Sequence, residues 1–391
     1  MRILMINVVC GIRSTGRICA DLACALGKRG HEVKIAFGRE DVPPQYEKYA
    51  VRIGCDLGTK IHAIKARLRD GCGFGSKIAT LNFIEWVKKY DPDVIHLHNI
   101  HGYYINVDVL FNYLRSCGKK ILWTLHDCWP FTGHAAYCEF SQCERWISGC
   151  EKCPCIKEYP SSFIDRSHIN WKKKKALFCG IPQMTLVTPS RWLKSLVKKS
   201  FLSAYPTTVI HNGIDTSVFK PTLGNVKERY RLSEKKVVLG VAAVWDRRKG
   251  LDDFIKLSSL LPKDYQIVLV GLSRDQIKAI PSSIVGIERT NSVKDLVELY
   301  SAANVFVNLT YEDNYPTTNL ESIACGTPVV TYDTGGSGES AVCYGIVVPK
   351  GRLDEVVKAV MSIERIKDKR SDADKIVLNK FIEKYIKMYE S

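Results

Sequence analysis

Apolar runs of strand length alternate with helix-like segments through the first half of the chain. "RILMINVV" (residues 2–9) predicts a buried strand, "STGRICADLACALGKRG" (14–30) a helix, and "HEVKIAF" (31–37) a second strand. The same alternation returns at residues 82–99 and 109–127. Single helices between strands are typical of a parallel sheet with helices on both faces. The first half therefore predicts a doubly wound α/β domain.

A second alternation begins with "KKVVLGVAAVW" (235–245) and runs to "TPVVTYD" (327–333). We therefore predict an α/β protein of two Rossmann-like, doubly wound parallel-sheet domains with a cleft between them. The predicted domains are 1–205, with a Cys- and Lys-rich insertion at 128–178, and 206–374; a last helix at about 375–391 is expected to pack back on the first. Ligands of such sheets bind at the carboxyl ends of the strands.

The net charge of +16 is concentrated in the first half. Residues 1–205 carry 31 Lys and Arg against 17 Asp and Glu, whereas the remainder carries 26 against 24. A one-sided positive field attracts anionic membrane surfaces, nucleic acid or phosphorylated substrates. The run "NWKKKKALF" (170–178) belongs to this field or is an ordinary solvated helix face.

The apolar runs fall short of the ~20 residues that cross a bilayer, so the sequence predicts no transmembrane helix. Asn7 interrupts the first apolar run, and Arg13 and Arg17 follow it, which favours a buried strand over a signal sequence. We therefore expect a cytoplasmic protein.

Fifteen cysteines in a chain without a secretory signal are expected to be mostly reduced thiols. One cluster, with spacing C-x4-C-x6-C-x2-C, consists of Cys138, Cys143, Cys150 and Cys153. Four thiolates with a closing C-x2-C pair suit tetrahedral zinc in a closed structural site. Cys155 or His134 can replace one ligand in this reading, and the alternative is a loop of free thiols.

Three short loops near predicted strand ends carry residues suited to anionic ligands. "STGRI" (14–18) joins Gly16 to a helix N-terminus, and it is either an anion site or a simple tight turn. "DRRKG" (246–250) places three cations beside a glycine, where they can hold a diphosphate or face solvent. "TGG" (334–336) suits close approach of the backbone to a ligand.

The stretch "EDNYPTTNLESIACGTPVV" (312–330) combines a turn and a helix with two carboxylates. Asp313 begins the turn, and Thr317 or Thr318 is predicted to cap the helix. Glu321 lies about one turn into the helix, where its carboxylate can accept two hydrogen bonds from a ribose diol. The helix N-terminus can meet phosphate or sugar oxygens. The spacing therefore predicts a site for a nucleotide sugar.

Seven motifs are distributed along nearly the whole chain. They are "STGRICADLACALGKRGHEV", "HNIHGYYIN", "TLHDCWPFTGH", "GCEKCP", "HNGID", "RKGLDDFIKL" and "YEDNYPTTNLESIACGTPVVTYDTGG". In this order they resemble the family-4 retaining glycosyltransferases, which have the two-domain GT-B fold. The second, third and fourth motifs look like those of a subgroup that builds bacterial exopolysaccharide and O-antigen chains.

The resemblance implies roles for residues of the second domain. The family's two acidic residues fall on Asp313 and Glu321; the first is usually Glu, so Asp313 is a departure. Lys249 matches the lysine that holds the diphosphate. The arginine that usually precedes it is missing, and Arg247 or Arg248 is expected to substitute.

The remaining implied donor-binding residues are Asn314, Tyr315, Pro316 and Thr317. In the first domain, His126 matches a catalytic-cleft histidine near the donor sugar. Gly16 matches the glycine loop beside the phosphates and the acceptor.

The resemblance thus implies a retaining enzyme that moves a sugar from a UDP- or GDP-sugar to a saccharide, expected to be lipid-linked. Catalysis is expected to need no cofactor, with zinc as a structural ion only. The basic first domain is expected to meet the anionic inner face of the cell membrane, which makes the protein peripheral.

Other classes explain less of the sequence. A sugar-nucleotide epimerase or a phosphorylase can share this architecture. A nucleic-acid-binding protein with a zinc site explains the basic half but not the motifs of the near-neutral half, so no nucleic acid is expected. A dehydrogenase is disfavoured because no G-x-G-x-x-G follows the first strand.

Overall fold

The chain folds into two units of alternating strands and helices. The computed structural model describes residues 1–232, 234–341, 344–364 and 378–391. Contacts assign Met1–Ile210 and Lys384–Ser391 to the first unit, and His211–Glu383 to the second. The domain boundary suggested by the sequence, 205/206, precedes this division.

The described residues of the first unit contain a seven-stranded parallel sheet with the order β3-β2-β1-β4-β5-β6-β7. Its strands are β1 (Arg2–Ile6), β2 (Glu32–Phe37), β3 (Ala50–Arg52), β4 (Val94–Leu97), β5 (Lys120–Thr124), β6 (Met184–Thr188) and β7 (Thr207–Val209). Ile6 pairs with Leu97, and Leu97 pairs with Trp123. The carboxyl ends of β1, β4 and β5 therefore lie side by side.

Helices cover both faces of this sheet. They are α1 (Arg13–Lys28), α2 (Asp56–Arg69), α3 (Lys77–Tyr90), α4 (Val107–Ser116), α5 (Ser167–Phe178) and α6 (Arg191–Lys199). Helix α1 begins at Arg13, so the motif "STGRI" lies within the helix and the expectation of a turn there is wrong. The turn comes earlier, because β1 ends at Ile6 and Gly11 adopts a φ of 74°.

The second unit contains a six-stranded parallel sheet, again counted over the described residues, with the order β10-β9-β8-β11-β12-β13. Its strands are β8 (Lys236–Val241), β9 (Tyr265–Val270), β10 (Ile284–Ile287), β11 (Val305–Asn308), β12 (Val329–Tyr332) and β13 (Gly345–Val348). Its helices are α7 (Val226–Arg229), α8 (Leu251–Leu260), α9 (Arg274–Ala279), α10 (Val293–Ala302), α11 (Thr317–Ala324), α12 (Ser337–Ala341) and α13 (Leu353–Ser362). These helices cover both faces of a doubly wound sheet.

Both sheets are buried on their two faces, as the continuous apolar runs predict. In β8, Val238 packs into one hydrophobic cluster and Leu239 into another, because successive side chains point to opposite faces. In the first unit, Phe111, Trp123 and Phe178 form an aromatic core with ring centroids 4.3–5.4 Å apart. Each large apolar side chain contributes about 1.5–3 kcal/mol by its burial.

The last helix, α14 (Leu378–Glu390), brings two buried tyrosines to the first sheet. The hydroxyl of Tyr389 lies 2.7 Å from Nδ1 of His96, and that of Tyr385 lies 2.9 Å from Oγ1 of Thr124. Residues 375–377 of the predicted helix lie outside the described part of the chain. In the parts that are described, no helix combines the length and the apolar character needed to cross a bilayer.

The lysine run of α5 is divided between solvent and core. Lys172, Lys173 and Lys175 are exposed, whereas Lys174 is 1% exposed. Its Nζ donates to the carbonyl oxygens of Trp129 (2.8 Å) and Thr132 (3.1 Å) and lies 3.4 Å from the Trp129 ring centroid. Burial lowers the pKa of Lys174 to about 7. One of the four lysines is thus a core residue.

This burial predicts a pH-dependent stability. Between pH 7 and pH 9 the unfolded chain keeps the Lys174 proton and the folded chain loses it, so stability rises with pH by up to ~2 kcal/mol from this group. We expect Lys174→Met to remove that part of the slope in thermal unfolding midpoints, while Lys172→Met, an exposed neighbour, leaves it in place. Equal slopes in all three proteins would contradict the assignment.

Candidate functional site

The loop after β8 forms a compact cationic turn in the second unit. Arg247–Lys249 makes one turn of 3-10 helix, and the Asp246 carboxylate accepts the Lys249 backbone N–H at 3.0 Å. Gly250 follows with a φ of 74°. A Cβ there would meet the Leu309 carbonyl oxygen at 2.2 Å, so a glycine is required. The turn is therefore held close against the strand end at β11.

Lys249 and Asp313 form an ion pair at the carboxyl edge of the second sheet. Nζ of Lys249 lies 2.5 Å from Oδ2 of Asp313, and the two side chains are 20% and 17% exposed. The other carboxylate oxygen of Asp313 accepts the backbone N–H of Asn314 at 2.9 Å. Desolvation strengthens such a pair relative to one on the open surface. The structure thus joins two residues that the sequence placed in separate motifs.

Two further bonds bring the neighbouring loops to this pair. Nη1 of Arg248 donates to the Glu312 carbonyl oxygen at 3.0 Å. The backbone N–H of Gly336 donates to the carbonyl oxygen of Asp313 at 3.1 Å. The motifs "DRRKG", "EDN" and "TGG" therefore lie at one place, which we call the donor edge: residues 246–250, 312–314 and 334–336.

Helix α11 begins at Thr317, and no side chain caps it. The prediction that Thr317 or Thr318 caps the helix is wrong, because Pro316 occupies the N-cap position and both threonines lie inside the helix. The loop before it is held by the "HNG" motif: the ring of His211 stacks on Tyr315 at 4.8 Å, and Asn212 Nδ2 donates to the Tyr315 carbonyl oxygen at 3.2 Å.

Glu321 is a buried residue of α11. It is 2% exposed, and its Oε2 accepts a hydrogen bond from the Tyr300 hydroxyl at 3.0 Å. The structure therefore places one of its oxygens against α10. Its predicted contact with a ribose stays a prediction.

A polar network that the sequence analysis missed fixes α11 against α12. Asn319 is fully buried; its Oδ1 accepts from Asn308 Nδ2 at 2.9 Å, and its Nδ2 donates to Ser340 Oγ at 2.8 Å. The hydroxyls of Thr331 and Ser337 share a further bond of 2.7 Å. The sequence did contain one indication of this network, a polar residue at a helical position that faces the core. Buried polar side chains in folded proteins form hydrogen bonds, often with residues distant in sequence.

Asp253 anchors α8 to the same sheet edge. Its Oδ2 accepts from the hydroxyls of Tyr311 (2.6 Å) and Tyr332 (2.8 Å). Burial, with the carboxylate beside it, raises the pKa of Tyr311 to about 12. This bond pair ties the helix that follows the cationic turn to the segments that carry Asp313 and the "TGG" loop.

A cavity of about 580 Å³ lies at the carboxyl ends of β8, β9 and β10. Its lining residues are Ala243, Val244, Trp245, Gly271, Leu272, Ser273, Gln276, Glu288 and Arg289. Ala243 and Val244 occupy the positions where the family usually has an arginine. This part of the cavity wall is therefore apolar. The cavity adjoins the cationic turn through Trp245, which precedes Asp246 in the chain.

The first unit holds His126 just beyond β5. Burial lowers the pKa of His126 to about 4, so its ring is neutral at pH 7. Nδ1 of His98 lies 3.0 Å from its Nε2. Next to it, Asp127 pairs with His101 Nε2 at 2.8 Å and accepts the Trp129 backbone N–H. The spacing of these residues in the sequence does not indicate either pairing.

Gly16 has a packing reason of its own. It lies in the first turns of α1, and a Cβ there would sit 3.0 Å from Val9 Cγ2 and 3.2 Å from the Val9 carbonyl oxygen. The helix thus approaches the preceding loop closely. Its predicted place beside the phosphates stays a prediction.

The cysteine cluster surrounds a small internal cavity in the first unit. The lining includes His134, Cys138, Cys143, Cys150, Cys153 and Cys155. His134 Nδ1 lies 2.5 Å from the Asp70 carboxylate. Among the residues that the structure describes, however, no three His, Cys, Asp or Glu side chains are arranged as ligands of one metal ion. Zinc stays a prediction from the sequence spacing.

Two comparisons with protein families cover most of the chain. Residues 15–218 match Glycosyltransferase Family 4, and residues 235–365 match Glycosyl transferases group 1. The fold and these matches define a two-domain glycosyltransferase of the GT-B class. The chain belongs to glycosyltransferase family 4.

Curated relatives are similar over part of their length. WcaC of Escherichia coli (strain K12), named as a colanic acid biosynthesis glycosyl transferase, is 29% identical over 63% of this chain and 62% of its own. A processive diacylglycerol alpha-glucosyltransferase of Acholeplasma laidlawii is 28% identical over 38% of this chain and 48% of its own. An N,N'-diacetylbacillosaminyl-diphospho-undecaprenol alpha-1,3-N-acetylgalactosaminyltransferase of Campylobacter jejuni is 26% identical over 41% and 46%. The chain spans less than two thirds of each.

Solved structures share the fold at low identity. HepE of Anabaena in complex with UDP aligns over the whole of both chains with a TM-score of 0.67 and 13% identity. WaaG, a glycosyltransferase involved in lipopolysaccharide biosynthesis, aligns over 100% of this chain and 99% of its own with a TM-score of 0.64 and 15% identity. These likenesses establish the arrangement of strands and helices within each unit.

Metal analysis tests the zinc prediction. Protein purified without added metal should contain about one zinc ion per chain if the four thiolates bind it, and Cys150→Ser with Cys153→Ser should lose it. Cys55→Ser, an exposed cysteine outside the cluster, is the matched control. A wild-type protein free of zinc, whose unfolding midpoint is unchanged by added zinc, would leave the cluster as free thiols.

Proposed function

We propose that this protein transfers a sugar from a nucleotide-diphosphate sugar to a saccharide acceptor with retention of anomeric configuration. The observation that carries the proposal is the donor edge, where Lys249 and Asp313 form a half-buried ion pair among three loops at strand ends. Anionic ligands of parallel α/β sheets bind at this edge. Membership of family 4 supports the same assignment.

Lys249 is suited to hold the diphosphate. Its ammonium group has three N–H donors, and one is directed at Asp313. A diphosphate oxygen can bind another donor while Asp313 keeps the ammonium oriented. We propose that Arg248 supplies the second cation, since its backbone carbonyl oxygen accepts the Tyr311 N–H and fixes it beside the same loop.

The nucleoside is assigned to the cavity beside the cationic turn. Its 580 Å³ volume, apolar wall and nearby Gln276 and Arg289 suit a planar base with polar edges. Glu321 would accept the ribose hydroxyls, with Tyr300 holding its other oxygen. Asn314 to Thr317 would contact the sugar ring from the start of α11.

The reaction requires a leaving diphosphate to be stabilised as its charge develops. The acceptor oxygen forms a bond to the anomeric carbon, the bond from that carbon to the phosphate oxygen breaks, and the acceptor proton passes to the departing diphosphate. Lys249, Arg248 and the N-terminus of α11 are the groups that favour this charge. In this proposal, Asp313 and His126 orient the sugar.

The acceptor is proposed to be a lipid-linked saccharide in cell-surface polysaccharide synthesis. The names of the Escherichia coli and Campylobacter relatives support this class, since one is named for colanic acid biosynthesis and the other for a sugar on diphospho-undecaprenol. The basic first half of the chain is consistent with such an anionic lipid acceptor.

A donor panel tests the proposed function. UDP-, GDP-, ADP- and CMP-sugars and NAD are added to wild type, Glu321→Gln and Glu355→Gln, and unfolding midpoints are measured. We expect one nucleoside diphosphate class to raise the wild-type midpoint, by ~3 kcal/mol of stabilisation at a hundredfold excess over Kd. Glu321→Gln should lose most of the shift, because the ribose loses its charged acceptor.

The Glu355 carboxylate forms an ion pair with Arg352 at the surface of the second unit, so Glu355→Gln should behave as wild type. A shift with NAD alone, or none with any nucleotide sugar, would contradict the donor assignment. An equal shift of the unfolding midpoint in all three proteins would show that Glu321 does not contribute to nucleotide binding.

An exposed apolar surface of the first unit supports the proposed membrane contact. Four large apolar residues of α2 are 45–67% exposed and lie on one stripe, at i, i+4, i+7 and i+11: Leu57, Ile61, Ile64 and Leu68. Exposed Lys60 and Lys65 flank the stripe on its two sides. An apolar stripe with basic margins is typical of helices that lie on an anionic bilayer.

Neighbouring elements extend this surface. Ile78 of α3 is 76% exposed, and it lines one cavity together with Lys65 and Lys77. Phe163 is 71% exposed, and the Arg67 guanidinium lies over its ring. The backbone carbonyl oxygen of Arg67 accepts the Phe163 N–H. We propose that an anionic lipid bilayer covers this face.

Liposome sedimentation checks the contact. Wild type should bind vesicles of phosphatidylglycerol and phosphatidylcholine and release at high salt, whereas Ile61→Gln with Ile64→Gln should bind at least about tenfold less. Leu260→Gln, which removes an equally exposed leucine of the second unit, is the control. Equal binding of the double variant and wild type would reject this face.

A further inference from the structure

Two histidines that follow neighbouring strands share a hydrogen bond in the first unit. His98 follows β4 and His126 follows β5, and these strands pair in parallel. Nδ1 of His98 lies 3.0 Å from Nε2 of His126. One nitrogen must donate and the other accept, so the position of a single proton defines the tautomers of both neutral rings.

The second ring nitrogen of His98 distinguishes the two arrangements. His98 is 1% exposed, and none of the described residues offers a hydrogen-bond partner to its Nε2. If His126 donated from Nε2, His98 would carry its own proton on Nε2, as a buried N–H with no acceptor. If His98 donates from Nδ1, its Nε2 is only an unpaired acceptor.

Buried N–H groups without an acceptor are rarer in folded proteins than buried acceptors without a donor. The arrangement in which His98 donates to His126 is therefore favoured. Both rings are neutral, since burial lowers the pKa of His126 to about 4 and holds that of His98 well below its usual value. No protonated imidazole is needed to make the bond.

Neighbouring groups fix the backbone of His98 and pack against its ring. The indole Nε1 of Trp123 donates to the His98 carbonyl oxygen at 3.2 Å. The ring of His96 lies 4.0 Å from that of His98, centroid to centroid. His96 itself is held at both nitrogens, 2.7 Å from the Tyr389 hydroxyl and 2.8 Å from Thr124 Oγ1.

We propose that His98 is a positioning residue that holds His126 in the tautomer with its proton on Nδ1. Nε2 of His126 is then occupied as an acceptor. In this tautomer the N–H that His126 can donate is on Nδ1, which suits a sugar oxygen, and Nε2 does not take a proton. The tautomer follows from the first unit alone, while its use on a sugar rests on the proposed function.

Nitrogen NMR of the full chain reads the tautomer directly. In protein labelled with 15N-histidine, long-range 1H–15N correlation spectra distinguish a protonated from an unprotonated ring nitrogen. His126→Gln identifies the His126 signals among those of the nine histidines. We expect a protonated Nδ1 and an unprotonated Nε2 for His126 at pH 7.5. A protonated Nε2, or a mixture of the two forms, would overturn the proposal.

Substitutions of His98 separate positioning from simple packing. His98→Asn places an amide N–H near the position of Nδ1 and should preserve the His126 tautomer. His98→Leu removes the donor, and the His126 proton should move to Nε2, the form that free histidine favours in water. His31→Gln, near the N-terminus, should change nothing. Preservation of the Nδ1–H form in His98→Leu would also overturn the proposal.

The wild-type spectrum alone decides the tautomer, so the test stands if His98→Leu does not fold. It also stands apart from the donor panel. An Nδ1–H tautomer in a protein that binds no nucleotide sugar would leave this proposal intact and reject the proposed function. An Nε2–H tautomer in a protein that binds a nucleotide sugar would overturn this proposal and leave the proposed function intact.

Discussion

The donor edge depends on the ion pair between Lys249 and Asp313. An ammonium and a carboxylate this little exposed need each other, because either one alone would be a poorly solvated charge. The pair holds the loop after β8 against the loop after β11. Around it, Arg248 and Gly336 complete the contact between three loops. The same pair keeps a cation oriented at the point where an anionic ligand is expected.

The pair is supported by groups that never need to touch a ligand. Asp253 links α8 to two tyrosines, and Asn319 links α11 to α12, so the helices behind the donor edge are fixed by buried, satisfied hydrogen bonds. In the first unit, Thr124 and His96 do the same for the segment that carries His126. Preorganised polar groups of this kind favour developing charge without reorganisation during the reaction.

The sequence predicted the fold more accurately than it predicted the contacts between side chains. Periodicity is a local property, so the alternation of strands and helices in both halves could be read directly, and the two parallel sheets confirm it. The turn expected at "STGRI" and the side-chain cap expected for α11 were wrong, since the turn lies earlier, at Gly11, and Pro316 occupies the N-cap position. Pairings such as that of Lys249 with Asp313 join residues 64 positions apart. Such contacts are set by the fold and leave no local pattern.

Calorimetric titration with nucleotides tests whether Lys249 recognises a diphosphate. For one base, we expect the nucleoside diphosphate to bind wild type at least about tenfold more tightly than the monophosphate, a difference of ~1.4 kcal/mol. Lys249→Ala should bring the two affinities to within about twofold, because the second phosphate loses its cation. Equal binding of mono- and diphosphate by wild type, or an unchanged preference in Lys249→Ala, would contradict this role of Lys249.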